Sequence, residues 1–153
     1  MSVILGIDPG SLTTGFGLVR CTQSGIDHLA HGTAILAANK SLAERLGDLA
    51  HDLNTIIDQY SPERVAVEDI FVLKNARSAL ILGQARGAVL AVMGLRKIPV
   101  IALSPTAVKS RLTGNGRAKK FQVAHMVALR LGIPLPKSED ASDALALAIA
   151  LAS

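Results

Sequence analysis

The sequence has few aromatic residues and almost no cysteine. Its 153 residues include no tryptophan, one tyrosine, three phenylalanines and a single cysteine, Cys21. One cysteine excludes a disulfide bond within the chain and fits a reducing compartment. Half of the residues are nevertheless hydrophobic, many of them alanine, which argues against a disordered chain and favours closely packed helices.

Long hydrophobic runs are also absent. The longest uninterrupted apolar run, residues 144–152, has nine residues, whereas a helix needs about 20 to cross a bilayer. Residues 1–8 lack the basic region and the extended apolar stretch of a signal peptide. We therefore expect a cytoplasmic protein with no membrane partner. The chain length and the lack of repeats or linkers predict one domain over residues 1–153.

Acidic residues are scarce, and four of them occupy unusual positions. The chain has 12 acidic against 16 basic residues, a balance that permits a polyanionic partner without demanding one. Because an isolated carboxylate is costly to bury, a carboxylate in an apolar segment is usually paired, protonated or bound to a cation. We predict one shared cation site from the four acids that border or interrupt the most apolar segments, Asp8, Glu68, Asp140 and Asp143.

The hydrophobic periodicity and the turn residues predict an α/β fold with five strands. Three strands come before any helix, and the other two alternate with helices, which predicts a mixed sheet with helices on both faces. The first and fourth strands are expected side by side in its centre. The predicted strands cover residues 3–7, 14–22, 26–36, 64–70 and 98–103, and the predicted helices cover residues 41–60, 75–97, a short segment from 104, 119–131 and 139–152.

The four acids have the chemistry of a hard-cation site. Asp140 and Asp143 are three residues apart and share one face of the last predicted helix, while Asp8 and Glu68 come from strands. Carboxylates without Cys or His nearby suit Mg²⁺ or Mn²⁺ better than zinc. Two such ions about 4 Å apart stabilise both the attacking and the leaving oxygen in phosphoryl transfer.

Each acid also has a structural explanation. Asp8 belongs to an Asp-Pro-Gly turn, and Asp140 lies in a first helical turn, where an acid stabilises the helix dipole. Glu68 has the weakest such explanation, because glutamate is a poor strand residue and its neighbours are apolar. Asp69 should point to the opposite side of the strand. Taken together, the four acids favour the cation site.

Four motifs resemble those of the RuvC Holliday-junction resolvases. Residues 6–17 read GIDPGSLTTGFG, residues 68–80 read EDIFVLKNARSAL, residues 83–87 read GQARG, and residues 140–146 read DASDALA. They occur in the order of the family and at compatible spacing over nearly the whole chain. The resemblance implies an RNase H-like fold and a crossover junction endodeoxyribonuclease of homologous recombination and DNA repair, acting as a homodimer with a divalent metal.

The resemblance also implies roles for the acids. Asp8, Glu68, Asp140 and Asp143 match the catalytic and metal-binding acids of the family, with Asp8 bridging two Mg²⁺ ions, for which Mn²⁺ can substitute. Water then attacks the phosphorus and a 3′-hydroxyl leaves, so that paired cuts carry 5′-phosphates that a ligase can seal. A branch-migration motor complex is the implied protein partner, and no nucleotide cofactor is expected.

Several further residues are expected to contact DNA or a second subunit. Phe71 aligns with an aromatic that stacks on a base near the crossover; the alternative is a core phenylalanine at a strand end. Gly83 and Gly87 suggest a dimer contact on the long helix, or else its packing on the sheet. Lys109 and Lys120 align with basic residues near the scissile strand, and Lys74, Arg111, Arg117 and Lys119 are candidates for the same positive surface.

Three other functions are compatible with parts of the pattern. Sugar kinases and actin-like ATPases share the opening motif, but they clasp nucleotide between two such domains and this chain has one. A nuclease of the same fold could act on an RNA–DNA hybrid or a flap. A junction-binding protein that no longer cuts is the third possibility, and the presence of all four acids argues against it.

Overall fold

A computed structural model describes residues 1–69 and 75–153. All of the predicted strands and helices are present. The strands are β1 (Ser2–Asp8), β2 (Thr13–Thr22), β3 (Gly25–Ile35), β4 (Arg64–Glu68) and β5 (Val100–Leu103), and the helices are α1 (Leu42–Tyr60), α2 (Ala76–Leu95), α3 (Pro105–Thr113), α4 (Lys120–Leu131) and α5 (Glu139–Ala152).

The strands form one mixed sheet in the order β3-β2-β1-β4-β5. β1 pairs antiparallel with β2 and parallel with β4, so β1 and β4 are neighbours in the centre, as predicted. Ile7 pairs with Val67, and the next residue of each strand is an acid, Asp8 or Glu68. The sheet therefore brings two of the four acids to the same edge.

Helices cover both faces of the sheet, which confirms the predicted architecture. On one face Leu5 and Ile7 belong to a core shared with α1 and α2. On the other face Ile4 belongs to a core shared with α3, α4 and α5. The three central residues of β4, 65–67, are fully buried and contribute to both cores in alternation, so β4 is covered on both sides.

Two strand boundaries differ by two residues from those predicted, and the others agree within one residue. β4 ends at Glu68 rather than at residue 70, which lies outside the described residues. β5 begins at Val100 rather than at Ile98, because the Ile98 N–H donates to the carbonyl of Met93 at 3.0 Å and thereby closes the end of α2. Lys97 makes the turn with a left-handed φ of 56°.

The outer surface of α2 is apolar. Ala85 and Val89 are buried in the core that α2 shares with α1 and the strands, whereas Leu80 and Leu95 are 63% and 83% exposed. Among the helices in the described ranges, α2 alone is long and apolar enough to cross a membrane by length and composition, and 22% of its most apolar window is buried. The exposed side of α2 is therefore an apolar surface whose contact with water is energetically unfavourable.

Candidate active site

Three carboxylates from two elements meet at the carboxyl end of β1. Asp8 ends β1, and Asp140 and Asp143 occupy the first two turns of α5. One oxygen from each of these three residues lies within 4.8 Å of the other two. Glu68, at the end of β4, lines the same cleft as Asp8 and Asp143. The structure thus brings together all four acids predicted from the sequence.

Glycines allow α5 to lie directly against the sheet at this point. A Cβ atom on Gly15 of β2 would stand 2.1 Å from the carbonyl oxygen of Asp140, and one on Gly6 of β1 would stand 1.9 Å from that of Ala144. Such distances are far below any real Cβ contact, so only glycine permits this approach of helix and strand backbones. The close packing of α5 sets the distance between Asp140 and Asp8.

Two hydroxyl groups fix the first turn of α5. The Thr13 hydroxyl, at the start of β2, donates a short hydrogen bond to the Asp140 carboxylate. The Ser138 hydroxyl caps the helix by accepting from the Ala141 N–H at 3.2 Å. Sequence reasoning missed Thr13, because its partner is 127 residues away along the chain.

The carboxylates repel one another. Burial raises the pKa of Asp8 from 3.8 to about 7, with further contributions from Asp143, Glu68 and Asp140. Burial also raises the pKa values of Glu68 and of Asp143. A buried set of oxygen donors with excess negative charge is stabilised by a divalent cation. The donor set therefore fits a hard metal ion.

Two lysines border the acids. The Lys120 ammonium lies 2.7 Å from a Glu139 oxygen and 3.2 Å from an Asp143 oxygen, and the hydrogen bond to Glu139 is the main cause of its raised pKa. Lys109 of α3 lines the same cleft, and Lys120 and Lys109 together offset part of the rise that burial causes in the pKa of Glu68. The cleft has a volume of about 230 Å³ and lies between the strand ends and α3, α4 and α5. Sequence reasoning missed the tether from Glu139 to Lys120.

The other predicted residues lie in several places. Arg117 and Lys119 are exposed near the start of α4 and do not line the cleft. Arg111 donates one hydrogen bond to the Ala150 carbonyl at 3.0 Å, so part of its guanidinium holds α5, and the residue is exposed. Phe71 and Lys74 lie outside the described residues.

Of the two adjacent acids at the end of β4, only one lies in the cleft, as predicted. Glu68 lines the cleft, whereas Asp69 follows the strand and does not. The Asp69 N–H donates to the Leu103 carbonyl at 2.8 Å, which extends the pairing of β4 with β5 by one bond. Only one carboxylate of the pair therefore reaches the site.

Comparison with known proteins identifies the family. The family model described as crossover junction endodeoxyribonuclease RuvC matches residues 4–151. The chain belongs to the RuvC family. The family and the enzyme class predicted from the motifs are thereby confirmed.

Relatives with the RuvC name cover most of the chain. A crossover junction endodeoxyribonuclease RuvC of Citrifermentans bemidjiense is 46% identical over 96% of this chain and 90% of its own length. That of Shewanella sp. strain W3-18-1 is 42% identical over 97% of this chain and 86% of its own length. The structure of Thermus thermophilus RuvC in complex with Holliday junction substrate superposes with a TM-score of 0.93 at 33% identity, covering 98% of this chain and 92% of that one. The RuvC fold is therefore shared over essentially the whole chain.

Proposed function

We propose that this chain cuts four-way DNA junctions by divalent-metal-dependent hydrolysis of phosphodiesters, in homologous recombination and DNA repair. The observation that carries the proposal is the convergence of Asp8, Asp140 and Asp143 within 4.8 Å, in a cleft bordered by two lysines. The relative from Thermus thermophilus, solved with a Holliday junction, supports the choice of substrate. Cleavage of a synthetic junction, described at the end of the Discussion, tests it.

The four acids would hold the metal. Asp8, Asp140 and Asp143 offer three oxygen ligands to one point, and Glu68 offers a fourth from the neighbouring strand. No Cys or His lines this cleft in the described part of the chain, which favours Mg²⁺, with Mn²⁺ as a substitute. The family resemblance supports two ions per site. When bound, the ions neutralise charge at the reacting phosphate and lower the pKa of water.

The chain's own groups would position the phosphodiester. The Lys120 ammonium, tethered by Glu139, and Lys109 present N–H donors in the same cleft as the acids. These cations would contact the phosphates of the scissile strand and bring its phosphorus to the acids. The expected products are a 3′-hydroxyl and a 5′-phosphate, which a ligase can join.

The distribution of charge supports a nucleic acid partner. Residues 105–131 contain six of the 16 lysines and arginines and none of the 12 acidic residues. This segment includes α3 and α4, which form one wall of the cleft. A surface of one sign beside the acids attracts the phosphate backbone and makes binding dependent on salt.

Replacing Lys109 with alanine tests the phosphate contact. We expect weaker junction binding and a reduction of about 1 in the slope of log K against log salt, because one phosphate loses its partner. Fluorescence anisotropy of a labelled junction in EDTA over a range of salt concentrations measures both quantities. Lys97→Ala, an exposed lysine where β5 begins and hence at the other end of the parallel strands, is the matched control. An unchanged slope for Lys109→Ala would count against the contact.

The exposed face of α2 supports a homodimer. Gly83, Gly87 and Ala91 recur every four residues on it, and a Cβ on either glycine would meet open space rather than the sheet. Their packing on the chain's own sheet, the alternative considered for these glycines, is therefore wrong. Leu80 and Leu95 extend this face as exposed apolar side chains. A two-fold axis through this face would give two identical sites, which matches the symmetry of a four-way junction and paired cuts.

Gly87→Arg tests the dimer. A long charged side chain on the exposed face of α2 should block close approach of two α2 helices. The result would be a monomeric protein that no longer makes paired cuts. Light scattering after size exclusion gives the mass, and a junction labelled on two strands reports whether both are cut. Gly47→Arg, also exposed on a helix with open space around it, should stay dimeric. A dimeric Gly87→Arg protein would place the interface elsewhere.

Three expectations from the sequence remain predictions. The branch-migration motor complex as a partner rests on the family resemblance. The cytoplasmic location rests on the lone Cys21. The assignment of one domain to residues 1–153 rests on length and composition.

A further inference from the structure

A second concavity lies beside the cleft, along α4. We call this concavity the α4 groove. Its main lining residues are Asn115, Phe121, Gln122, His125, Met126 and Leu135. The groove has a volume of about 610 Å³, and 69% of the Phe121 side chain is exposed in it. One of only three phenylalanines in the chain is thus exposed to solvent beside an apolar surface, which is an unfavourable position unless something covers it.

The α4 groove begins close to the acids. Lys120 lines the cleft and the next residue, Phe121, lines the groove, so the two surfaces share the first turn of α4. They also share α3, where Lys109 lines the cleft and Thr113 lines the groove. One helical turn separates Lys109 from Thr113, which is roughly 5.4 Å along the axis. A strand with a phosphate at the cleft could therefore place a neighbouring base at Phe121.

The polar groups around the ring suit a nucleobase. The amide oxygens of Asn115 and Gln122 accept from the backbone N–H groups of Arg117 and Lys119 at 2.9 Å and 2.7 Å, which fixes the Asn115 and Gln122 side chains. Within the described residues neither amide NH₂ group donates a hydrogen bond, so both can meet acceptors on a base edge. Arg117 and Lys119 are themselves exposed beside Phe121 and can contact the flanking phosphates.

We propose that the α4 groove binds a base of the junction DNA, stacked on Phe121, with Arg117 and Lys119 on the adjoining phosphates. The inference rests on the proposed function and adds a base-contacting site outside the acidic cleft. A flat ring with basic neighbours and amide donors is the combination that binds unpaired or splayed bases. A protein segment is the competing occupant of the groove. An acidic segment would be held by Arg117 and Lys119 as well, but any large apolar side chain at position 121 would serve it, whereas a base requires an aromatic ring.

Three substitutions of Phe121 separate stacking from apolar contact. We expect Phe121→Ala to weaken binding of a labelled four-way junction in EDTA by about 5- to 150-fold, the loss that one stacked base represents. Phe121→Leu should be as weak as Phe121→Ala, and Phe121→Trp should bind at least as well as the unchanged protein. Leu129→Ala is the matched control, because Leu129 is equally exposed on α4 but does not line the groove. Equal melting temperatures would exclude misfolding.

Photocross-linking identifies the contacting base directly. Junctions carrying 5-iodo-deoxyuridine at successive positions around the crossover are irradiated with the protein, and the attached peptide is found by mass spectrometry. A cross-link to Phe121 at one position, lost in Phe121→Leu, supports the inference. Wild-type affinity for Phe121→Ala or Phe121→Leu, or cross-links that avoid residues 115–126, would overturn it and leave the groove to a protein partner. If the unchanged protein binds no junction, the proposed function fails first, and the inference fails with it.

Discussion

Asp8→Asn is expected to abolish junction cleavage, to leave junction binding intact and to stabilise the metal-free protein. The substitution keeps the shape of the side chain and removes the charge at the centre of the acidic cluster. Since carboxylate oxygens of Asp8, Asp140 and Asp143 converge on one site, a divalent ion bound there would lose one of its ligands in Asp8→Asn. We expect the cleavage rate to fall by at least about 10³-fold, the scale on which one member of a catalytic unit acts.

The stability change follows from the raised pKa of Asp8. Burial and the neighbouring carboxylates raise that pKa from 3.8 to about 7, so the folded state keeps a proton that the unfolded chain releases. Stability of the metal-free protein therefore falls as the pH rises through this window, and above pH 7 the full cost of the charge is present. Because asparagine carries no charge, Asp8→Asn should be more stable at pH 8 by about 1–3 kcal/mol, allowing for screening by solvent at the mouth of the cleft.

Thermal unfolding in EDTA at pH 5 and pH 8 measures this difference. We expect Asp8→Asn to melt about 3–10 °C above the unchanged protein at pH 8, with a smaller gap at pH 5. Asp69→Asn is the control, because Asp69 lies next to Glu68 but outside the cleft, and its cleavage activity should be normal. Retained cleavage in Asp8→Asn, or a lower melting temperature at pH 8, would contradict the assigned role.

Gly15→Ala is expected to lose both stability and activity, although it adds only one methyl group. The added Cβ would stand 2.1 Å from the Asp140 carbonyl oxygen, so α5 must move away from β2. Overpacking of this kind costs about 1–3 kcal/mol, and more when the obstacle is backbone that must move as a unit. The same movement displaces Asp140 from Asp8, and a misplacement of about 1 Å can lower a rate by about 10²-fold.

A second glycine substitution distinguishes sterics from chain flexibility. Gly47 lies exposed in α1 with open space around it, so Gly47→Ala should stabilise the protein by about 0.5–1 kcal/mol through helix propensity. Denaturant unfolding of both variants and cleavage under saturating metal give the comparison. A Gly15→Ala protein with normal stability and normal cleavage would show that α5 does not need this close approach.

The sequence predicted the sheet and the grouping of the acids from the pattern within each element and from the order of the elements along the chain. Glu68 interrupts an apolar strand, and Asp8 closes another, so parallel pairing of the two strands places them at one edge. The spacing of Asp140 and Asp143 needs only helix geometry. Once β1 and β4 are paired and α5 is a helix, these placements of the four acids do not depend on the rest of the fold.

Other features of the site depend on three-dimensional packing. The hydrogen bond from Thr13 to Asp140 joins residues 127 positions apart, and the tether between Lys120 and Glu139 joins two helices. Neither pair has a signature in sequence spacing. The close approach of α5 at Gly15 becomes visible only once the helix is placed, because a glycine in a strand has many possible causes.

The central claim is that the acidic cleft hydrolyses a four-way junction with a divalent metal. Cleavage of a labelled synthetic junction in Mg²⁺, beside linear duplex and RNA–DNA hybrid of the same sequence, tests it directly. We predict symmetric nicks on the junction alone, sealed by DNA ligase and absent in EDTA. Cleavage of the hybrid or the duplex in place of the junction, or junction binding without any metal-dependent cleavage, would contradict the account.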